Sequence, residues 1–85
     1  MGPWKLVLDE AAFHCFVSSR AVERRKLLAA FEELRADPQR HADYRTSDAT
    51  GRKLDVWAKR PFLITYWLDS FVSEVRIVNI QRIRF

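Results

Sequence analysis

The chain has 85 residues, 48% of them hydrophobic and 31% charged, with a net charge of +4. That is enough for one domain, near the size at which a single core barely outweighs the entropy of ordering the chain. Two glycines, three prolines and an aromatic share of 13% exclude a disordered or low-complexity chain, and no apolar run approaches the ~18 residues that would span a bilayer.

The single Cys15 has no internal disulfide partner, which points to a reducing cytoplasm. Set among Phe13, Phe16 and Val17, it reads as small core filling. Asp9 and Glu10 interrupt the apolar stretch that a signal peptide would need, so no secretory or membrane segment is expected. Leu6 stands where the myristoylation pattern wants Ser or Thr. Residues 1–42 carry seven Lys/Arg against six Asp/Glu, whereas residues 43–85 carry eight against five. A basic second half suits a polyanion or an acidic protein segment; a mild excess on a solvated surface has the same composition.

Trp4-Lys5-Leu6-Val7-Leu8 predicts a short first strand. Asp9 is placed to cap a helix over 10–19, with Glu10 in its first turn. Ser18-Ser19 breaks that helix, and Ser19 can cap a second one over 20–36, where Leu27, Leu28, Phe31 and Leu34 recur at helical spacing. Pro38 disfavours helical geometry at Asp37 and ends the helix near Ala36. So short a break makes the two helices a hairpin lying on a sheet. Residues 38–51 are polar and turn-rich, a loop with one short extended piece at Tyr44–Thr46.

From Lys53 the period becomes two. Leu54, Val56 and Ala58 alternate with Lys53, Asp55 and Trp57; then Phe62, Ile64, Tyr66 and Leu68 alternate with Leu63, Thr65 and Trp67. Lys59-Arg60-Pro61 turns the chain, Asp69-Ser70 turns it again, and Val72–Ile83 forms the last strand. Short connections imply antiparallel pairing. The expected fold is α+β, in the order β-α-α-β-β-β: a helical hairpin on one face of a mainly antiparallel four-stranded sheet, one domain over residues 1–85.

Taking Leu54, Val56, Phe62, Ile64 and Tyr66 as the floor under the helices leaves Lys53, Asp55, Trp57, Leu63, Thr65 and Trp67 on the other face. That face is too apolar for idle surface, which makes Trp57, Leu63 and Trp67 candidates for partner binding. The alternative is that the first strand or the 38–51 loop folds over the tryptophans. Candidates for phosphate or nucleic acid are Arg52, Lys53, Lys59, Arg60, Arg76, Arg82 and Arg84. His14 and His41 have no ligand spacing to each other or to Cys15, so no metal site is expected. Ser18 and Ser19 have no nearby base, there is no glycine-rich phosphate loop, and no cofactor is expected.

With LLAAFEELRADP, Gly51-Arg52 and Leu54, Phe62-Leu63-Ile64-Thr65-Tyr66-Trp67-Leu68-Asp69, and a closing strand over Val75–Arg82, the chain resembles the RelE/ParE superfamily of bacterial toxins, the plasmid-stabilisation type. The likeness runs from Trp4 to Arg82 and rests on a hydrophobic pattern with a few polar points. It implies a toxin of a type II toxin–antitoxin pair, neutralised by a cognate antitoxin that wraps an extended or helical segment around it. RelE-like members cut messenger RNA on the ribosome; ParE-like members inhibit DNA gyrase without that chemistry.

Cleavage through a 2′-hydroxyl needs a base, cations for the phosphorane charge and an acid for the leaving oxygen. The resemblance implies lysines on the second strand, an arginine after the aromatic of the third, and an arginine with Tyr or His at the C-terminus. Lys53 matches, Asp55 reverses the sign, Leu63 replaces the arginine, and Arg82 and Arg84 are followed by Phe85 alone. The catalytic candidates reduce to Lys53, Arg82 and Arg84. The expected function is therefore ParE-like: a toxin that binds a protein such as DNA gyrase. A ribosome-dependent messenger RNA endonuclease is the first alternative, and a non-toxic nucleic-acid-binding module the second.

Overall fold

Alternation and helical spacing resolve into seven elements in the computed structural model, which describes residues 4–39 and 41–83. In chain order they are β1 (Lys5–Leu8), α1 (Glu10–Ser18), α2 (Ala21–Ala36), β2 (Tyr44–Ser47), β3 (Lys53–Lys59), β4 (Phe62–Asp69) and β5 (Glu74–Arg82). The strands form one sheet in the order β1-β5-β4-β3-β2. All neighbours are antiparallel except β1, which runs parallel to β5. The α+β layout stands, with one strand more than expected. The extended piece of the 38–51 loop pairs with β3, Tyr44 opposite Val56, and the last strand begins at Glu74 rather than Val72.

Neither expected side-chain cap forms. Asp9 precedes α1, but its carboxylate reaches Arg76 of β5 at 3.4 Å. Ser19 closes α1 instead of opening α2: its hydroxyl donates to the Cys15 carbonyl at 2.7 Å, and its own carbonyl accepts from Arg24. At the start of α2, Glu23 accepts the Arg20 N–H at 3.3 Å. α2 ends at Ala36, as Pro38 requires. Ala12 of α1 and Leu27, Ala30, Phe31 and Leu34 of α2 are buried on Phe62, Ile64, Tyr66, Val75, Ile77 and Ile80 of the sheet. Full burial of such a large apolar side chain contributes roughly 1.5–3 kcal/mol. Leu28, one residue off this stripe, is left half exposed.

Two details of register decide which side chains share a face. The Arg60–Pro61 turn makes Lys59 and Phe62 cross-strand partners, so Trp57 lies opposite Ile64 and Asp55 opposite Tyr66. Cross-strand partners point to the same side. The odd-numbered residues of β3 therefore face the helices together with the even-numbered residues of β4. The expected floor was half inverted: Leu54 and Val56 are buried on the far side of the sheet, apart from the helix-facing core, whereas Trp57 belongs to that core. The second detail is a bulge. Thr65 pairs with Asn79 but Tyr66 with Ile77, which leaves Val78 without a partner and lets both Ile77 and Ile80 face the helices.

Candidate functional site

Trp67 lies half buried on the far face, opposite Arg76 in register. The Arg52 guanidinium is 4.1 Å from its ring centroid and that of Arg76 is 5.8 Å away, so two cations flank one indole. A tight turn sets Arg52 in place. The Asp48 carboxylate accepts the Thr50 N–H (2.9 Å), the Thr50 hydroxyl (2.6 Å) and the Arg52 N–H (3.0 Å). Those bonds, the hydroxyl's foremost, hold the Asp48 carboxyl below its ordinary pKa. Gly51 takes φ 86°, where a side chain would be strained. Neither helix lies over this face.

Around the start of β3 a cleft of about 440 Å³ is lined by Arg45, Arg52, Lys53, Asp55, Trp67 and Leu68. Arg45 and Asp55 are register partners joined by a 2.9 Å ion pair, so the acid that reverses the expected sign is matched by a base from β2. Lys53 is exposed and makes no ion pair among the described residues. Lys53 at the edge of the cleft, and Arg52, whose charge is partly balanced by Asp48, bring positive charge to the indole wall, an arrangement able to hold an anionic group.

Three of the other candidate cations are paired with acids. Lys59 pairs with Glu33 at 2.9 Å and Arg82 with Glu23 at 2.5 Å, both acids on α2. Arg76 is shared by Glu74 (3.0 Å) and Asp9 (3.4 Å). Arg60 is exposed in the β3–β4 turn, and Arg84 lies outside the described residues. Lys53 and Arg82 sit at opposite ends of the sheet: Arg82 is opposite Phe62, whereas Lys53 lies two residues before Asp55, which is opposite Tyr66. At ~3.3 Å per residue, that separates them by roughly 20 Å along the strands. They do not form one catalytic pair.

Among the candidates for partner binding, Trp57 must be corrected. It is 8% exposed and faces the helices. The His41 ring is stacked on it at 4.6 Å, and His41 Nε2 lies 3.1 Å from the Glu33 carbonyl oxygen. The 38–51 loop does cover this tryptophan, but on the helix side. Leu63 is half buried and takes part in a separate cleft of about 460 Å³ with Gln81, Arg82 and Ile83. Sequence reasoning missed Arg45, whose only signal was the short extended piece in a polar loop. Opposite Asp55 in register, buried Tyr66 donates to the Pro38 carbonyl at 3.3 Å; burial, aided by Asp55 and Asp43, pushes its phenol up to about 12.

No protein-family model matches the sequence, and no curated protein resembles it significantly. Solved structures do. The archaeal RelE–RelB complex of Pyrococcus horikoshii OT3 contains a chain with a TM-score of 0.72 at 11% identity, the match covering 93% of each chain. The toxin–antitoxin complex RelBE2 of Mycobacterium tuberculosis contains one with a TM-score of 0.72 at 15% identity, covering 95% of this chain and 99% of that one. The fold is that of the RelE toxins.

On this RelE fold, the positions that the sequence resemblance marks for catalysis are scattered. Lys53 borders the cleft beside Trp67, Leu63 points away from the helices, and Arg82 is held by Glu23 on the helix side. No helix among the described residues is long and apolar enough to cross a membrane.

Proposed function

We propose that this chain is the toxin half of a type II toxin–antitoxin pair, and that it acts ParE-like, by binding a protein target such as DNA gyrase rather than by cutting RNA. The observation that carries the reading is the separation of Lys53 from Arg82, the latter engaged by Glu23. A developing phosphorane is a few ångströms across and needs its cations together. Two cations at opposite ends of a sheet suit docking better than turnover. The fold likeness to chains crystallised as RelE–RelB and RelBE2 complexes supports a cognate antitoxin as partner. The Arg52–Trp67–Arg76 face, with Lys53 at its rim, is the surface offered to a partner with carboxylates. Inducible expression in a bacterium is expected to arrest growth, and co-expression of the small gene beside it to restore growth. Normal growth at confirmed soluble expression contradicts the reading.

One observation favours a second reading: both structural neighbours are RelE proteins. On that reading the chain is a ribosome-dependent endonuclease using Lys53, Arg82 and Arg84. Cleaved message on purified ribosomes, abolished by Lys53→Ala, supports it; intact message counts against it.

A further inference from the structure

The two edges of the sheet differ. At β1, Arg35 of α2 donates from Nε to the Trp4 carbonyl at 3.0 Å, and Leu28 and Phe31 line a cleft with Lys5 and Leu6. At β2 the only strand neighbour among the described residues is β3, and all four β2 residues are exposed. The Asp48 N–H reaches the Arg52 carbonyl at 3.0 Å. Backbone direction alternates along an antiparallel strand, so Tyr44 and Thr46 turn their N–H and C=O groups to β3, whereas Arg45 and Ser47 turn theirs outward. Such a row of unpaired donors and acceptors is a template for one more strand.

The register fixes what that strand must carry. Arg45 lies opposite Asp55 and Ser47 opposite Lys53 on one side of the sheet; Tyr44 and Thr46 lie opposite Val56 and Leu54 on the other. Arg45 Nε bonds Asp55 at 2.9 Å, yet the Arg45 side chain is 75% exposed, and its guanidinium has further donors to give. Lys53 makes no ion pair among the described residues. The row Arg45, Ser47, Lys53 and Asp55 is therefore one positive charge in excess. With only a serine between, Lys53 can reach a carboxylate placed beside Ser47. On the opposite side, Tyr44 is half exposed next to buried Val56.

We propose that β2 accepts an extended acidic segment of another protein as a further strand of the sheet. Its carboxylates, at alternate positions, lie beside Arg45 and Lys53, and a β-branched or aromatic residue between them packs on Tyr44. A second copy of this chain is a poor occupant. β2 carries Arg45 and no acid, so pairing two copies sets like charges together. The charge that discourages self-pairing is the one that selects an acidic guest. The edge adjoins the Arg52–Trp67 cleft, but the pairing rests on free backbone groups and register and does not depend on the toxin reading.

The probe is a blocked peptide in which glutamate alternates with valine, added to isotope-labelled chain and followed by amide NMR shifts and hydrogen exchange. Shifts are expected to concentrate in β2 and the facing part of β3, with the Arg45 and Ser47 N–H groups slowed in exchange. Two control peptides separate strand pairing from charge. One carries lysine in place of glutamate; the other keeps every side chain but is N-methylated at alternate residues and lacks the pairing donors. Each is expected to bind about tenfold more weakly or worse. Ser47→Pro removes an outward N–H and spares the ladder to β3, so it should abolish binding while amide signals distant from β2 stay in place. Lys53→Glu should weaken binding by about tenfold. Unperturbed β2 amides, equal binding of the N-methylated peptide, or full binding by the Ser47→Pro chain overturns the proposal. Slowed exchange at Arg45 and Ser47 that grows with chain concentration in the absence of peptide marks self-pairing and overturns it as well.

Discussion

Glu23 near the start of α2 and Arg82 at the end of β5 meet at 2.5 Å, and Glu33 near the end of the same helix meets Lys59 of β3 at 2.9 Å. The helix crosses the sheet with an acid over each of two strands. Glu23 is held below its ordinary carboxylate value chiefly by its bond to Arg82. A depressed carboxylate stabilises the fold above its unfolded value, near 4.5, and that contribution is lost as pH falls through the lower folded value. Arg82→Ala is therefore expected to lower the melting temperature by a few degrees near neutral pH. The difference from the parent should shrink well below about pH 4. Thermal melts at both pH values check this; an equal difference at both contradicts it.

Trp57 and Trp67 should behave in opposite ways. Trp57→Ala empties a buried site and is expected to cost about 3–5 kcal/mol in urea unfolding, a large share of the stability of so small a domain. Trp67→Ala removes a half-buried ring on the far face and is expected to cost less than half as much. Equal losses would contradict the assignment of the two faces.

Tyr66 supplies an alkaline signature. Its folded value of about 12 lies above the usual 10, so the neutral phenol is favoured in the native state. The associated stability is fully present below about pH 10 and is lost as pH rises toward 12. Tyr66→Phe should lose about 1 kcal/mol near neutral pH with the bond to Pro38, and should unfold with a weaker dependence on pH above 10. Urea titrations of both proteins across that window decide the matter.

Arg52 is stacked on the half-buried Trp67 indole and lies outside the core cluster. Arg52→Glu is expected to leave the melting temperature within a degree or two; on the proposed toxin reading, it lowers affinity for a cognate antitoxin by about tenfold or more, the cost of reversing a charge at an interface. Titration calorimetry of the purified pair measures it. Unchanged affinity would place the antitoxin elsewhere on the molecule.

The helices, their termination at Pro38 and the strand runs were legible in the sequence because each follows from local spacing. The face of β3 was not. It depends on whether Lys59 pairs with Phe62, and a shift of one residue in that pairing exchanges Trp57 for Val56. The bulge at Val78 is equally invisible, since Ile77 and Ile80 break simple alternation. Cations were easy to find and their partners were not. Glu23 and Glu33 are distant from Arg82 and Lys59 in the chain, and only the crossing of α2 over the sheet brings them together. Asp55 read as a lost cation, and Arg45 lay in a loop that had no expected place in the sheet.

Primer extension on cellular messages, taken from bacteria arrested by inducing this chain, tests the central claim most directly. Arrest by protein binding predicts intact messages beside stalled growth, with purified gyrase losing supercoiling activity when the chain is added. Messages cut within codons, with the cuts lost in Lys53→Ala, would contradict it.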